Sequence, residues 1–389
     1  MRQQIISCIE SMSDEISKIS KYLYDNPETA YKEYKAMSVL SEALEKHGFK
    51  VTKNFLGLGT EFIAVYGQGE PAIAYLCEYD SLPGLGHGCG HNLIGACSMT
   101  AAIGLSKVIN DIGGKVVVLG TPGEESDGSK VTMVEKNVFK DIDAALMVHP
   151  SSKTSESGVS LAMDALEFTF TGKSAHAAAS PEYGINALNA CIETFNMINA
   201  LRQHIPSDVR IHGIISEGGI APNIVPDRAV AKFYVRSLDR ASLNEITERV
   251  KNCAKGASIG TGTQLTIRNY EFSYDNMITN HTLSRIFCHN LKESGIIDIH
   301  GPQTSTGSID MGNVSQRVPA IHPYIQISKE DISAHTREFA EATQSEFALE
   351  NMVKAACALA LTGYDLITNK ELLNEMKEEF SLHKNTRKP

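Results

Sequence analysis

The chain has 389 residues, 42% hydrophobic and 21% charged, a globular composition at a length where one core usually gives way to two domains. Its formal charge of −10, from 36 basic and 46 acidic residues, argues against a phosphate-binding surface, so no nucleic-acid partner is expected. No stretch approaches the roughly 20 apolar residues of a membrane span, and the opening MRQQIISCIESMSDEISKI is too polar for a signal peptide, so a cytoplasmic protein without a membrane partner is expected.

Apolar spacing predicts two amphipathic helices, Met1–Asn26 and Glu33–His47, the second ended by Gly48. Short β-rich runs follow at Glu61–Tyr66 and Ile73–Cys77, then a turn-rich loop, Leu82–Gly90, and a long helical pattern, His91–Asn110. Lys115–Gly120 reads as a buried strand, Lys130–Asn137 as a short helix and Ala144–Val148 as another strand. This alternation predicts a mostly parallel sheet covered on both faces, hence an α/β fold.

Past Asp164 the pattern changes. Leu166–Gly172 is a predicted strand, Tyr183–Gln203 a helix, Arg210–Ser216 and Val230–Ser237 strands, Ser242–Lys255 a helix and Gln264–Tyr270 a strand. That β-α-β-β-α-β order is ferredoxin-like. Helix, strand and helix then resume at Asn280–Ser294, Ala320–Ser328 and Ser345–Thr362. The expected organisation is a catalytic α/β domain, 1–165 and 276–389, interrupted by an inserted α+β domain, 166–275.

Potential metal ligands gather at predicted strand ends. Cys89 and His91 follow the strand Ile73–Cys77, Glu124 and Glu125 follow Lys115–Gly120, and His149 follows Ala144–Val148. Open α/β sheets place their ligands at such carboxyl ends. Taken singly, Cys-x-His is a weak signal, paired glutamates usually form a solvated face, and a histidine can be satisfied within a core. Thr121-Pro122-Gly123 ahead of the glutamates suggests instead that they open a helix after a buried strand. The eight cysteines show no framework of close pairs, so they read as core fillers with one metal ligand among them.

Thiolate and imidazole suit zinc, and carboxylate also accepts manganese. Two ions roughly 3.5–4 Å apart can activate a water between them and polarise a carbonyl. Glu124, adjacent to the ligand Glu125, is then the expected general base and later the acid toward the leaving amine.

With these residues placed, the chain resembles the metallopeptidase family of the aminoacylases, carboxypeptidase G and the auxin-conjugate amidohydrolases (metallopeptidase family twenty). The motifs are His87-Gly88-Cys89-Gly90-His91-Asn92, Gly120-Thr121-Pro122-Gly123-Glu124-Glu125, Gly172-Lys173-Ser174-Ala175-His176-Ala177 and Gly218-Gly219-Ile220-Ala221-Pro222-Asn223. The resemblance implies Cys89, His91, Glu125, His149 and His335 as ligands of two divalent ions, zinc or manganese. His335, in Ala334-His335-Thr336-Arg337, rests on the resemblance alone. It further implies a homodimer through the inserted lid domain, with His176 reaching the partner's active site to stabilise the oxyanion. Asn223 and Arg236 match lid positions for the scissile carbonyl or a substrate carboxylate, while His212 has no assigned role.

Two departures from the auxin-conjugate hydrolases narrow the branch. Asn92 replaces an Asp after the motif histidine, leaving the orientation of His91 in question, and Glu78-Tyr79-Asp80 replaces an Asp-x-Asp run. With Gly307–Ser315, the Ala320–Tyr324 stretch and the tail from Asp365, these resemble the p-aminobenzoyl-glutamate hydrolase and β-alanyl-lysine dipeptidase branch. His322 is left open between substrate contact and structural residue. The expected activity is hydrolysis of the amide of a small acyl- or aminoacyl-amino acid, a dipeptide or p-aminobenzoyl-glutamate. The alternatives are an N-acyl amino acid deacylase, a non-catalytic partner subunit, and a redox or structural-zinc role for Cys89.

Overall fold

A computed structural model describes residues 1–302 and 307–385. The chain forms two compact units: one from 1–159 with the described parts of 277–305 and 310–389, the other from 160–276 with the described part of 306–309.

The first unit begins with α1 (Arg2–Ser11), α2 (Ser13–Asp25) and α3 (Tyr34–Lys46), then β1 (Lys50–Lys53), β2 (Phe62–Gln68), β3 (Ala72–Cys77), α4 (His91–Ile112), β4 (Gly114–Gly120), α5 (Ser129–Glu135), β5 (Ala144–Leu146) and β6 (His149–Ser151). The helix expected over 1–26 is two helices, broken at Met12, and both pack on α4. The bend lets one amphipathic sequence wrap the central helix. β3 is buried at every residue, as a strand covered on both faces must be. α4 is long and apolar enough to cross a membrane, against the sequence reading, but 94% of its apolar window is buried within the protein. It is a core helix.

The inserted unit holds β7 (Ala162–Thr171), α6 (Ala187–Leu201), β8 (Arg210–Glu217), β9 (Arg228–Ser237), α7 (Arg240–Thr261) and β10 (Gln264–Asn269). Its strands pair antiparallel in the order β10-β7-β9-β8, the ferredoxin-like order. Asn186 and Asp239 cap α6 and α7 by accepting backbone N–H bonds three residues on. Phe168, Phe170 and Phe233 fill its separate core. The unit starts at Ser160 rather than at 166, because β7 begins before the apolar run used to predict it.

The first unit resumes with α8 (His281–Glu293), α9 (Met311–Ser315), β11 (Ala320–Ile321), β12 (Tyr324–Gln326), α10 (Arg337–Ala342), α11 (Glu346–Thr368) and α12 (Lys370–Asn385). Its sheet runs β1-β2-β4-β3-β5-β11, with β4, β3, β5 and β11 parallel and β2 antiparallel to its neighbours. β1, which the sequence reading missed, is short and polar, and among the described residues pairs with β2 alone. The strand expected over 144–148 ends at Leu146 as β5, with a further strand, β6, starting at His149, and that expected over 320–328 breaks into β11 and β12. These continue in step: β5 pairs with β11 and β6 with β12.

Candidate metal centre

The break in that strand pair builds one wall of the site. His149 opens β6, and its backbone N–H donates to Pro323 O at 2.9 Å. His322 therefore lies beside His149, with ring centroids 5.3 Å apart, and is buried. The Nδ1–H of His149 is aimed at Pro150 O, 2.7 Å away, which leaves Nε2 facing Cys89 Sγ at 3.5 Å. Burial, reinforced by the neighbouring His91, holds His149 down at about 4, so its imidazole is neutral.

The Cys89 loop forms the opposite wall. Gly90 has a φ of +80°, and a Cβ there would lie 2.4 Å from Pro150, so only glycine lets this loop close against the His149 strand. His91 then begins α4, fully buried, with Nδ1 2.9 Å from Asp80 Oδ1. The other oxygen of Asp80 accepts the Glu125 backbone N–H at 3.0 Å. One carboxylate thus sets both ligand loops. This answers the question raised by Asn92: His91 is oriented by Asp80, while Asn92 donates to Ser20 and Thr343 in the core.

Glu124 and Glu125 do not open a helix as expected. They sit in a turn, and α5 starts at Ser129. Gly123 (φ +73°) makes that turn against Tyr31, which a Cβ would approach to 2.9 Å. Burial and the charges of Glu78 and Asp310 push the Glu124 carboxyl well above the usual carboxylate range. Glu125 goes the other way: burial opposes its charge, but His335 and His91 draw its pKa down to about 2.

His335 has a φ of 63°, an uncommon conformation for a residue with a Cβ. Its backbone N–H donates to Gly88 O at 2.8 Å, tying it to the Cys89 loop, and its Nε2 lies 3.3 Å from Glu125 Oε1. No spacing rule in the sequence predicts this return of the chain.

Three groups of candidate ligand atoms each fall within 4.8 Å: Cys89 with His91 and His149, Cys89 with Glu125 and His335, and His91 with Glu124 and Glu125. Cys89 is common to the first two. His91 Nε2 and Glu125 Oε1 are buried without a hydrogen-bond partner, a state that is costly unless a cation compensates it. Burial pushes the Cys89 thiol far up, so a metal is what would make it a thiolate. The residues fit divalent metal ions.

The remaining predicted residues belong to the inserted unit. His176 and Asn223 lie on paired loops: Ala177 N–H donates to Asn223 O at 3.0 Å, and His176 bridges to Ile224. His176 is exposed, and its Nδ1 accepts the backbone N–H groups of Ala178 and Ala179 at 3.2 and 3.0 Å. Arg236 donates to Ser308 Oγ at 3.2 Å, and its guanidinium lies 5.5 Å from the Tyr234 ring. His212 also packs on Tyr234, 5.5 Å between centroids. Sequence reasoning assigned no role to Glu78, Asp80, Lys130 or Asp310. The first two were visible as acids at the end of β3, whereas nothing local marks Lys130 as fully buried.

Residues 163–260 match the peptidase dimerisation domain of the M20 family. The chain is 34% identical to Xaa-Arg dipeptidase of Mus musculus over 98% of its own length and 92% of that protein. It is 29% identical to one of the subunits of p-aminobenzoyl-glutamate hydrolase of Escherichia coli K12, covering 96% of this chain and 94% of that one. A dinuclear metal-binding peptidase of the M20 family from Bacillus subtilis superposes with a TM-score of 0.67 at 19% identity, covering 91% of this chain and 99% of the other, and shares the fold.

Proposed function

The chain belongs to the M20 peptidase family and is a metal-dependent hydrolase of small amides, and from that premise we propose that it cleaves dipeptides with two divalent ions, zinc or manganese, at the Cys89 centre. The observation that carries this is the convergence of Cys89, His91, Glu125, His149 and His335 on shared positions, with Glu124 beside them. The mouse relative, named for Xaa-Arg dipeptides, and the Bacillus subtilis peptidase, described as dinuclear, support the substrate class and the ion count.

When bound, such ions polarise a carbonyl and lower the pKa of water. The protein's own groups do the rest. Glu124, whose burial and acidic neighbours raise its proton affinity, takes the proton of the attacking water and returns it to the leaving nitrogen. Asp80 holds His91 and the Glu125 backbone in place. With Nδ1 occupied by two N–H donors, His176 carries its proton on Nε2, the form needed to donate to an oxyanion. We assign that donation to the active site of a partner subunit. β8 supports the homodimer: it is an edge strand with Ile214 and Ile215 exposed. Asn223, paired with the His176 loop, and Arg236 are assigned to the scissile carbonyl or a substrate carboxylate, and His322 to a wall of the substrate site. Eight unpaired cysteines support a cytoplasmic location.

The test is amino-acid release by the purified protein from Xaa-Arg and Xaa-Lys dipeptides, p-aminobenzoyl-glutamate and N-acetyl amino acids, with zinc, manganese or cobalt. Release from dipeptides is expected. Release from N-acetyl amino acids alone would make it a deacylase. No release from any substrate at full metal loading would defeat the proposal.

A further inference from the structure

Beneath the ligand loops lies a set of charges that the reaction above does not use. Lys130, fully buried on α5, places Nζ 2.7 Å from Glu78 Oε1 and 2.6 Å from Asp310 Oδ1. The second oxygen of Asp310 accepts the backbone N–H of Lys130 at 3.2 Å. Asp310 fits there because residue 128 is glycine; a Cβ at Gly128 would lie 2.4 Å from Asp310 Oδ2. One ammonium thus faces two carboxylates, leaving one negative charge in excess where water is excluded. A buried charge without a counterion is strongly disfavoured.

The two carboxylates differ in what they leave over. Asp310 uses both oxygens on Lys130. Glu78 uses one, and its Oε2 is buried without a hydrogen-bond partner. That oxygen lies 3.6 Å from His91 Nε2, which also has no hydrogen-bond partner. With Nδ1 of His91 facing Asp80, Nε2 is the ring nitrogen left to face Glu78 Oε2. A divalent cation held between these two atoms would give each of them the partner it lacks.

We infer that Glu78 is a further metal ligand of this centre, presenting Oε2 to the ion that His91 binds, and that Lys130 and Asp310 are positioning residues that hold its other oxygen. The arrangement supplies the missing counter-charge and places both unpartnered atoms in use. It rests on the metal-dependent reading above and adds one acid to the ligand set. The same geometry also accommodates a protonated His91 facing Glu78 as a plain ion pair, and the experiment separates the two.

Glu78→Gln is the informative change, because the amide oxygen can still accept from Lys130 while an NH2 replaces the metal-facing oxygen. The full-length protein, stripped of metal, is titrated with zinc against a chromophoric chelator, and its cobalt complex is followed by visible absorption. The expected result is a zinc affinity weaker for one equivalent by more than the roughly 10–100-fold that loss of an outer-shell partner costs, an altered cobalt spectrum, and a metal-free melting temperature no lower than the parent's. Lys130→Met combined with Asp310→Asn keeps Glu78 but removes its holder, and is expected to weaken the same zinc equivalent. Parental zinc affinity and an unchanged cobalt spectrum in Glu78→Gln would overturn the inference and reduce Glu78 to a counter-ion of Lys130. A parent protein that binds no zinc, manganese or cobalt would overturn the metal-dependent reading itself, a different and separable failure.

Discussion

At the strand ends of the six-stranded sheet, Glu78, His91 and Glu125 each leave a buried atom without a hydrogen bond. On the four-stranded sheet the acids are closed off. Asp164 gives one oxygen to Arg240 at 2.8 Å and the other to Thr247 at 2.6 Å. Glu167 holds Arg268 with both oxygens, at 2.6 and 2.8 Å. Both places hold buried carboxylates, but those of the second are matched within their own unit while those of the first leave atoms facing one another, as a cation site would. At this cluster the unsatisfied buried atoms converge on one another, whereas the acids of the four-stranded sheet are each matched to a cation or hydroxyl.

The comparison predicts where substitution hurts activity and where it hurts folding. The largest effect is expected from Glu124→Gln, which should lower turnover by about 10²–10⁴-fold with metal content and melting temperature retained; near-parental kcat would remove Glu124 as the base. A mixing experiment extends this. If His176 acts across subunits, inactive Glu124→Gln and His176→Ala proteins should regain activity when re-dimerised together, since one of the two mixed sites has neither defect. Persistent inactivity in a mixture shown to hold heterodimers would confine His176 to its own chain.

Asp80→Asn comes next. It cannot accept both the His91 ring N–H and the Glu125 backbone N–H, so metal affinity should fall about 10–100-fold, read by chelator competition, with the fold retained. On the closed sheet the effect moves to stability. Asp164→Asn is expected to destabilise by about 1.5–3 kcal/mol in denaturant titration, the range for hydrogen bonds to charged groups, with zinc affinity unchanged. Burial works against the Asp164 charge, but Arg240 and the hydroxyl donors hold its pKa below the ordinary 3.8. Because the folded value is the depressed one, the contribution is complete above about pH 4 and fades as pH falls through it. The gap between parent and variant should therefore close in acid. Arg268→Gln should do least: the guanidinium is exposed, so any loss of melting temperature should be confined to low ionic strength.

Much of the candidate site was readable because its residues cluster where sheet geometry puts them. Cys89, His91, Glu125 and His149 each follow a strand whose apolar run is plain in the sequence. Errors arose where local pattern has no purchase. Glu124 and Glu125 occupy a turn because Gly123 at positive φ stops the chain from entering a helix directly. The single run Ala320–Ser328 conceals a break that places His322 against His149. Lys130 opens the predicted helix Lys130–Asn137 with nothing local to mark its burial, and it is buried where Glu78 and Asp310, far apart in sequence, meet around it.

Sequence alone thus determined the two-unit architecture and the strand ends that carry the candidate ligands, because side-chain periodicity and strand order are local properties of the chain. Family resemblance supplied His335, which periodicity could not. Only the tertiary structure decided which atom each residue presents. Asp80 took over the orienting role left open by Asn92, and Glu78 emerged with one oxygen tied to Lys130 and the other turned toward His91. Orientation and protonation depend on contacts between residues distant in the chain and on the exclusion of water around them, and both exist only once the chain has folded.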